Sequence, residues 1–457
     1  MTAAWDLAVI GAGPAGMAAA TQAAALGLSV VLLDEQPAPG GQIYRAVERN
    51  TDPALGPDYR HGAMLAEGLR ASAASYRPAT RVWQVEDGRL YASTGGRAEA
   101  IAWRRLILAV GAMERPVPLP GWTLPGVMTV GAAQILLKND GMLPADGVWI
   151  AGSGPLPLLY AAQVAAAGGR LAGFLDTAPP GRMAAAIRRL PLSATGWRYL
   201  AKGIGLLNRL GVPRLAAVSA VEAIGDSRVE AVRFRHAGTL QERPASGLLL
   251  HEGVVPQTHM TMALGCAHDW DPAQACFRPR LDGWGRTDLP GVLVAGDAGG
   301  IGGARAAEAA GRIAALAAAA DLGAISEGER DRLAAPHRRQ RAAHLSVRPF
   351  LDALYPPPDL GAIADEVTVC RCEGVTAGGL RAAVAQGARG PNQAKTFTRA
   401  GMGPCQGRLC GLTATAVIAR ALDRSPADTG FYRIRPPLKP LTLGELASLP
   451  GGLEVDA

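Results

Sequence analysis

With 457 residues, 49% of them apolar and 58 of them glycine, the chain is long enough for two or three domains and too hydrophobic to be disordered. The formal charge of +7 is carried almost wholly by arginine, because Lys138, Lys202, Lys395 and Lys439 are the only lysines. Scattered arginine without a run of like charge argues against a nucleic-acid footprint and leaves an acidic redox partner open.

The opening Met1-Thr2-Ala3-Ala4-Trp5 has no basic region followed by an apolar segment, so no signal peptide is expected. No run of about 18 apolar residues predicts a membrane span. The expected location is the cytoplasm, where paired cysteines mean metal rather than disulfides.

Residues 6–35 form a complete dinucleotide-binding unit. Asp6-Leu7-Ala8-Val9-Ile10 is a short apolar strand, Gly11-Ala12-Gly13-Pro14-Ala15-Gly16 a turn, and Met17 to Leu26 an alanine-rich helix. Leu28 to Leu33 is the next strand, ending at Asp34-Glu35. Gly11 permits the tight turn, Gly13 lets backbone approach a pyrophosphate, and Gly16 lets helix pack on strand. The pyrophosphate then meets free N–H groups at the helix N-terminus. Asp34 is the better placed acid for ribose hydroxyls, with Glu35 as the alternative. A turn at Gly40-Gly41-Gln42 follows, and Leu106 to Val110 is an apolar strand turning on Gly111.

A second unit starts at Val148, with the turn Gly152-Ser153-Gly154-Pro155-Leu156-Pro157, a helix through Ala167 and a strand ending at Leu175-Asp176. Pro157 stands where the third glycine belongs. Proline is tolerated in a first helical turn, but its bulk alters the nucleotide pocket. Asp176 would repel a 2′-phosphate, which argues against NADP and leaves NAD, an adenine nucleotide or a purely structural domain. Residues 183–212 read as an amphipathic helical insertion, either a solvated helix or a docking surface. His251 and His259 read as structural histidines, and Cys266 and Cys276 as buried thiols rather than a redox pair. No catalytic base is assigned. Gly291 to Ala295 is a strand running into Gly296-Asp297 and a glycine-rich turn before a long helix. Taken alone, Asp297 could be a helix cap.

Residues 326–364 are charged, then proline-rich at Tyr355-Pro356-Pro357-Pro358, and read as a linker. Beyond them Cys370-Arg371-Cys372 and Cys405-Gln406-Gly407-Arg408-Leu409-Cys410 place four of six cysteines in two tight pairs. Thiolates grouped this way hold soft metal, as an iron–sulfur centre or zinc, although metal-free structural thiols remain a third reading. Helices from Thr376 and from Leu412 begin near these thiols, and their dipoles, with Arg371, Arg399 and Arg408, could offset cluster charge.

From about residue 5 to 325 this succession resembles the two-dinucleotide-binding-domain flavoproteins related to glutathione and thioredoxin reductases. The resemblance implies FAD in the first unit. It puts Asp297 against the ribityl–phosphate portion and Gly41, Gln42, Gly111 and Gly296 along the FAD site. Disulfide reductases of that group carry Cys-x-x-Cys beside the flavin, and this chain has none. The string Cys370-Arg371-Cys372-Glu373, Lys395, Thr398 to Gly403 and Cys405 to Cys410 resembles bacterioferritin-associated-ferredoxin-like [2Fe–2S] domains. Simpler members close with Cys-x-x-Cys, whereas four residues intervene here. That departure matches a subgroup formed by the A-type subunits of opine oxidases, the FAD subunit of D-hydroxyproline dehydrogenases and the B subunit of hydrogen cyanide synthase. His251-Glu252-Gly253-Val254-Val255-Pro256 and Gly299 to Ala304 look like the same subgroup.

The resemblance implies an α/β protein with two Rossmann-like, glutathione-reductase-like domains and a small α-rich C-terminal Fe–S domain. The expected FAD domain covers 1–112 and 280–325, and the second nucleotide domain covers 113–279. The [2Fe–2S] domain covers 365–425, followed by a Pro-rich tail at 426–457. The implied protein is the electron-handling subunit of a hetero-oligomeric oxidoreductase, holding FAD, and a [2Fe–2S] cluster on Cys370, Cys372, Cys405 and Cys410. Its implied partners are an amino-acid-oxidase-like FAD subunit, which dehydrogenates an opine, hydroxyproline, glycine or sarcosine type of substrate, and a small ferredoxin-like subunit. A self-contained NAD(P)H-dependent flavin reductase is the alternative.

Overall fold

The computed structural model describes residues 4–449; the N-terminal residues 1–3 and the last part of the Pro-rich tail, 450–457, lie outside the described residues. The first domain is built on parallel strands Ser75–Arg77, Val30–Leu33, Trp5–Ile10, Arg97–Leu108 and Val292–Val294, in that spatial order. Val9 pairs with both Leu32 and Ile107. Strands covered on both faces read as continuous apolar runs, which is why Leu7 to Ile10 and Val30 to Leu33 contain no polar residue. Arg97–Leu108 serves two sheets: its first half joins an antiparallel meander with Arg89–Thr94 and Thr80–Glu86, and its second half enters the parallel sheet.

Two alanine-rich helices, Pro14–Ala25 and Ala304–Asp321, cover one face of that sheet. They approach so closely that a Cβ on Gly311 would stand 2.0 Å from the Ala15 carbonyl oxygen. Small side chains allow this contact, and it brings the start of the first helix beside the Gly296 turn.

The second domain carries a five-stranded parallel sheet in the order Arg214–Ala216, Gly173–Asp176, Val148–Ser153, Gly247–Glu252, Val127–Thr129. A three-stranded antiparallel sheet, Ser219–Ile224, Ala231–His236 and Thr239–Pro244, packs against it. The chain enters through Ala112–Glu114 and leaves through Val254–Pro256, and these two strands pair antiparallel as a ribbon between the domains. The insertion holds two helices, Arg182–Ile187 and Ala194–Asn208, and leaves Trp197 and Ile204 about half exposed.

The segment expected as a linker is mostly helical, with helices at Glu327–Leu345 and Arg348–Leu354. Ser326 caps the first of them by accepting the Glu329 N–H. Its apolar periodicity is faint because arginines do the packing. The guanidinium groups of Arg330 and Arg338 lie 4.2 and 3.7 Å from the Trp284 ring centre, so charged residues there cover an aromatic surface. No helix among the described residues is long and apolar enough to cross a membrane.

A short hairpin, Thr368–Cys370 with Val375–Thr376, opens the cysteine module, and helices Ala377–Ala385, Pro391–Thr398 and Gly411–Ala421 complete it. Its Val369, Leu380, Val417 and Ile418 share one apolar core with Ala8, Leu33, Leu108 and Val294 of the first sheet. The tail then runs back over the meander, where the Leu438 N–H donates to the Trp83 carbonyl at 2.6 Å.

The helix contact gives a stability test. Gly311→Ala is expected to cost about 1–3 kcal/mol by overpacking against Ala15. Gly328→Ala adds a methyl that meets nothing within 4 Å, and is expected to be neutral or slightly stabilising. Thermal unfolding of both purified variants, read by circular dichroism, checks the contrast.

Candidate functional site

The first glycine turn is shaped by backbone crowding. A Cβ on Gly11, which has φ +102°, would stand 2.5 Å from the Ala109 carbonyl oxygen, and one on Gly16 would meet the Gly11 oxygen at 1.7 Å. Gly13 faces Gly41 so closely that a Cβ on Gly41 would come within 2.9 Å of the Gly13 Cα. Gly13 caps the helix without any side-chain hydrogen bond, and Pro14 occupies the first turn. The free amides of that turn are therefore left for an anion. Ala15 is buried under Gly296 and Gly311. Asp297 follows, its Oδ1 accepting the Gly302 and Gly303 amides at 2.9 and 3.0 Å. Burial pushes the Asp297 carboxyl up from its ordinary value. Asp297 thus fixes the loop that leads into helix Ala304–Asp321.

The two acids after the second strand have different tasks. Asp34 is buried and accepts the Ala12 amide on Oδ2 and the Gln36 amide on Oδ1 at 2.7 Å; burial raises its pKa against those hydrogen bonds. It braces the glycine turn. Glu35 is exposed enough to face a cavity of about 380 Å³, and Lys439 Nζ holds its Oε2 at 2.8 Å. Gln42 accepts from Arg45 at 3.2 Å. The carbonyls of Gln42 and Ile43 receive the Lys138 ammonium at 3.4 and 2.9 Å. Burial, then the Arg45 charge, push Lys138 down to about 7. Lys138 lies on the second domain's helix Val130–Asp140 and clamps the Gly40–Gln42 turn. No motif points to it, although a lysine is rare in this arginine-rich chain.

The second glycine turn, like the first, is crowded by its neighbouring strand. A Cβ on Gly152 would meet the His251 carbonyl oxygen at 1.8 Å, and one on Gly154 would lie 3.3 Å from the His251 ring. The neighbouring Glu252 is buried, and its carboxylate accepts the Ser153 hydroxyl at 3.1 Å and the Thr177 hydroxyl at 2.6 Å. A carboxylate therefore sits beside the turn where a pyrophosphate would bind, and the glycines make room for His251. Asp176 is not a free acid: Arg182 reaches it at 3.1 Å, Arg214 at 3.0 Å, and the Ala178 amide at 3.0 Å. Two guanidinium groups offset the Asp176 charge on which the expected repulsion of a 2′-phosphate depends. Both arginines lie on elements that no short motif connects to it.

Both histidines expected to be structural have partners. His251 Nδ1 pairs with Glu114 at 2.6 Å, and Glu114 also accepts the Gly131 amide at 2.8 Å. His259 Nε2 donates to the Gln406 carbonyl at 3.3 Å, and burial, aided by Arg408, pushes it down to about 4. The Gln257 amide donates to the Gly111 carbonyl at 3.0 Å. The short stretch Gln257–His259 thus joins the Gly111 turn to the loop between Cys405 and Cys410.

All six cysteines are free thiols. Cys372 and Cys405 have sulfurs 3.8 Å apart, and Cys370 and Cys410 lie close enough for each to shift the other's thiol. Among the described residues no three ligating side chains converge on a single ion position. Cys370 is lowered to about 6, first by Cys410 and then by the amides of Gly401, Glu373 and Cys372. Gly403 lies against Cys372, where a Cβ would come within 2.2 Å of the cysteine Cβ. The Tyr432 ring packs on Gly407, and its buried hydroxyl lies beside the Cys410 thiol. Four sulfurs gathered beside a buried hydroxyl fit a sulfur-rich centre. The three expected arginines are engaged: Arg371 lies over the Trp122 ring at 5.3 Å, Arg399 pairs with Glu373 at 2.8 Å, and Arg408 donates to the Leu438 carbonyl.

Comparison with known proteins agrees with this architecture. Residues 5–311 match the pyridine nucleotide-disulphide oxidoreductase family, and residues 367–449 match the sarcosine oxidase A3 domain. The A-type subunit of opine oxidase from Rhizobium meliloti (strain 1021) is 47% identical over 458 residues, covering 97% of this chain and 99% of that protein. Hydrogen cyanide synthase subunit HcnB of Pseudomonas aeruginosa is 35% identical, covering 96% and 98%. Among solved structures, L-proline dehydrogenase from P. horikoshii superposes with a TM-score of 0.71 at 19% identity, over 97% of this chain and 80% of that one, which shows the shared fold. The chain belongs to the pyridine nucleotide-disulphide oxidoreductases and, within them, to the family of opine oxidase A-type subunits, FAD-binding oxidoreductase components that act on amine donors.

Proposed function

We propose that this chain is the electron-handling subunit of a heteromeric dehydrogenase, holding FAD in its first domain and a [2Fe–2S] cluster on Cys370, Cys372, Cys405 and Cys410. A small amino or imino acid is oxidised on a partner flavoprotein of the amino-acid-oxidase type, and a small ferredoxin-like subunit joins the assembly. The observation that carries this reading is the gathering of four thiols, with the Cys372 and Cys405 sulfurs 3.8 Å apart and Cys370 beside Cys410. The Cys-x-Cys spacing of Cys370 and Cys372 suits an iron–sulfur centre better than a structural zinc, which prefers two to four intervening residues. Bound FAD exchanges two electrons and the cluster one, which lets two-electron amine oxidation feed a one-electron chain.

The chain's own residues supply binding and orientation. The first-turn amides after Gly13 take the pyrophosphate, and Glu35 takes the ribose, since Asp34 is committed to the Ala12 amide. Asp297 and the Gly296 turn would hold the ribityl–phosphate portion, with Gly111 at the same carboxyl edge of the neighbouring parallel strand. Lys138 holds the Gly41-Gln42 turn in place from the second domain. Reduced, metal-ready thiols favour the cytoplasm.

Use of NAD(P)H by the second domain is disfavoured by Glu252, whose buried carboxylate occupies the phosphate side of the turn. The domain then acts as a scaffold, and electrons enter from the amine.

Two outcomes are expected. The purified chain carries FAD with about two irons and two labile sulfides. Cys405→Ser loses the iron and keeps the flavin; zinc in place of iron, read by elemental analysis, would refute the cluster assignment. Anaerobic mixing of the isolated chain with NADH or NADPH leaves the flavin absorbance unchanged, while the complex co-expressed with its partner subunits is reduced by its amine substrate. Reduction of the isolated chain by a nicotinamide would overturn the division of labour.

A further inference from the structure

The cavity beside Glu35 is lined from both ends of the chain. Glu35, Gln36, Ala79 and Arg81 come from the first domain, and Glu445 comes from the C-terminal tail. We propose that this tail, from Pro436 to Leu449, is a working wall of the pocket that takes the adenosine half of the dinucleotide, and that it sets how firmly the cofactor is held. The inference rests on the assignment of FAD to the first domain.

Glu35 ends the second strand, where ribose hydroxyls are held in such folds. Lys439 engages only its Oε2, at 2.8 Å, which leaves Oε1 for a hydroxyl donor and fixes the rotamer that presents it. Glu445 is prepared in the same way. A reciprocal cap joins it to Thr442, with Glu445 Oε2 accepting the Thr442 amide at 2.9 Å and Thr442 Oγ1 accepting the Glu445 amide at 3.1 Å. Its Oε1 is turned to Arg81 at 2.8 Å. Arg81 keeps a buried Nε with no partner, an unmet donor on the cavity wall. Two acids held by two cations around a polar cavity suit the hydroxyls and ring nitrogens of a nucleoside.

The tail is pinned at both ends. Ser448 Oγ accepts the Ala98 amide at 2.8 Å. At the other end Gln406 donates to the Pro437 carbonyl at 2.6 Å, and Arg408 donates to the Leu438 carbonyl. Gln406 and Arg408 belong to the loop between Cys405 and Cys410. Seating of that loop and closure of the adenosine pocket are therefore one mechanical unit, and a nucleotide that tightens one steadies the other.

The test uses the full-length holoprotein and the rate at which FAD fluorescence returns after dilution. Combining Lys439→Met with Glu445→Gln removes two partly exposed ion pairs and is expected to speed FAD release about three- to tenfold, with iron content unchanged. Lys439→Met alone, which leaves the tail's cap intact, is expected to speed it about two- to threefold. Release at essentially the parent rate in both variants, with FAD bound at the start, overturns the tail's role and leaves the FAD assignment standing. A parent protein that neither carries nor takes up FAD overturns both.

Discussion

A parallel sheet must be covered on both faces, and in this molecule that requirement joins the flavin-binding domain to the cysteine module. Helices Pro14–Ala25 and Ala304–Asp321 close one side of the first sheet. The other side, with Ala8, Leu33, Leu108 and Val294, is closed jointly by the meander and by the cysteine module. The module is thus part of the core of the flavin-binding domain and has no separate interior. Burial of this kind is the dominant favourable contribution to folding, roughly 25 cal/mol per Å² of apolar surface. The thiols are consequently held against the first sheet by the same interaction that keeps the sheet folded.

The second domain shows the opposite use of a shared architecture. It has the strand–turn–helix of a nucleotide site and a terminal acid, but the charged groups around the turn already have partners. Glu252 bonds Ser153 and Thr177, Asp176 bonds Arg182 and Arg214, and His251 bonds Glu114. Its contribution to the first site comes through Lys138 and through the ribbon of Ala112–Glu114 with Val254–Pro256.

What can be read from the sequence is local. Gly11 and Gly16 announce a turn because only glycine survives those backbone contacts, and the four cysteines stand out by chemistry and spacing. Pro157 marks the second turn as altered. What cannot be read depends on residues far apart in the chain. Nothing in the spacing joins Glu35 to Lys439, Arg81 to Glu445, or Asp176 to Arg214. Asp34 and Glu35 both stand at the strand end, and only folding shows that Asp34 is the one that turns back onto the Ala12 amide. Helix Glu327–Leu345 escapes a hydropathy reading because its arginines pack on Trp284 through their stems and planar heads, a pattern that resembles a solvent-facing surface.

The second turn also bears on the charges a visiting molecule would meet. Glu252 bonds the Ser153 hydroxyl, and the His251 ring lies 3.3 Å from the place of a Cβ on Gly154. A phosphate arriving there would face a carboxylate already tied to the turn, so like charges would meet at short range.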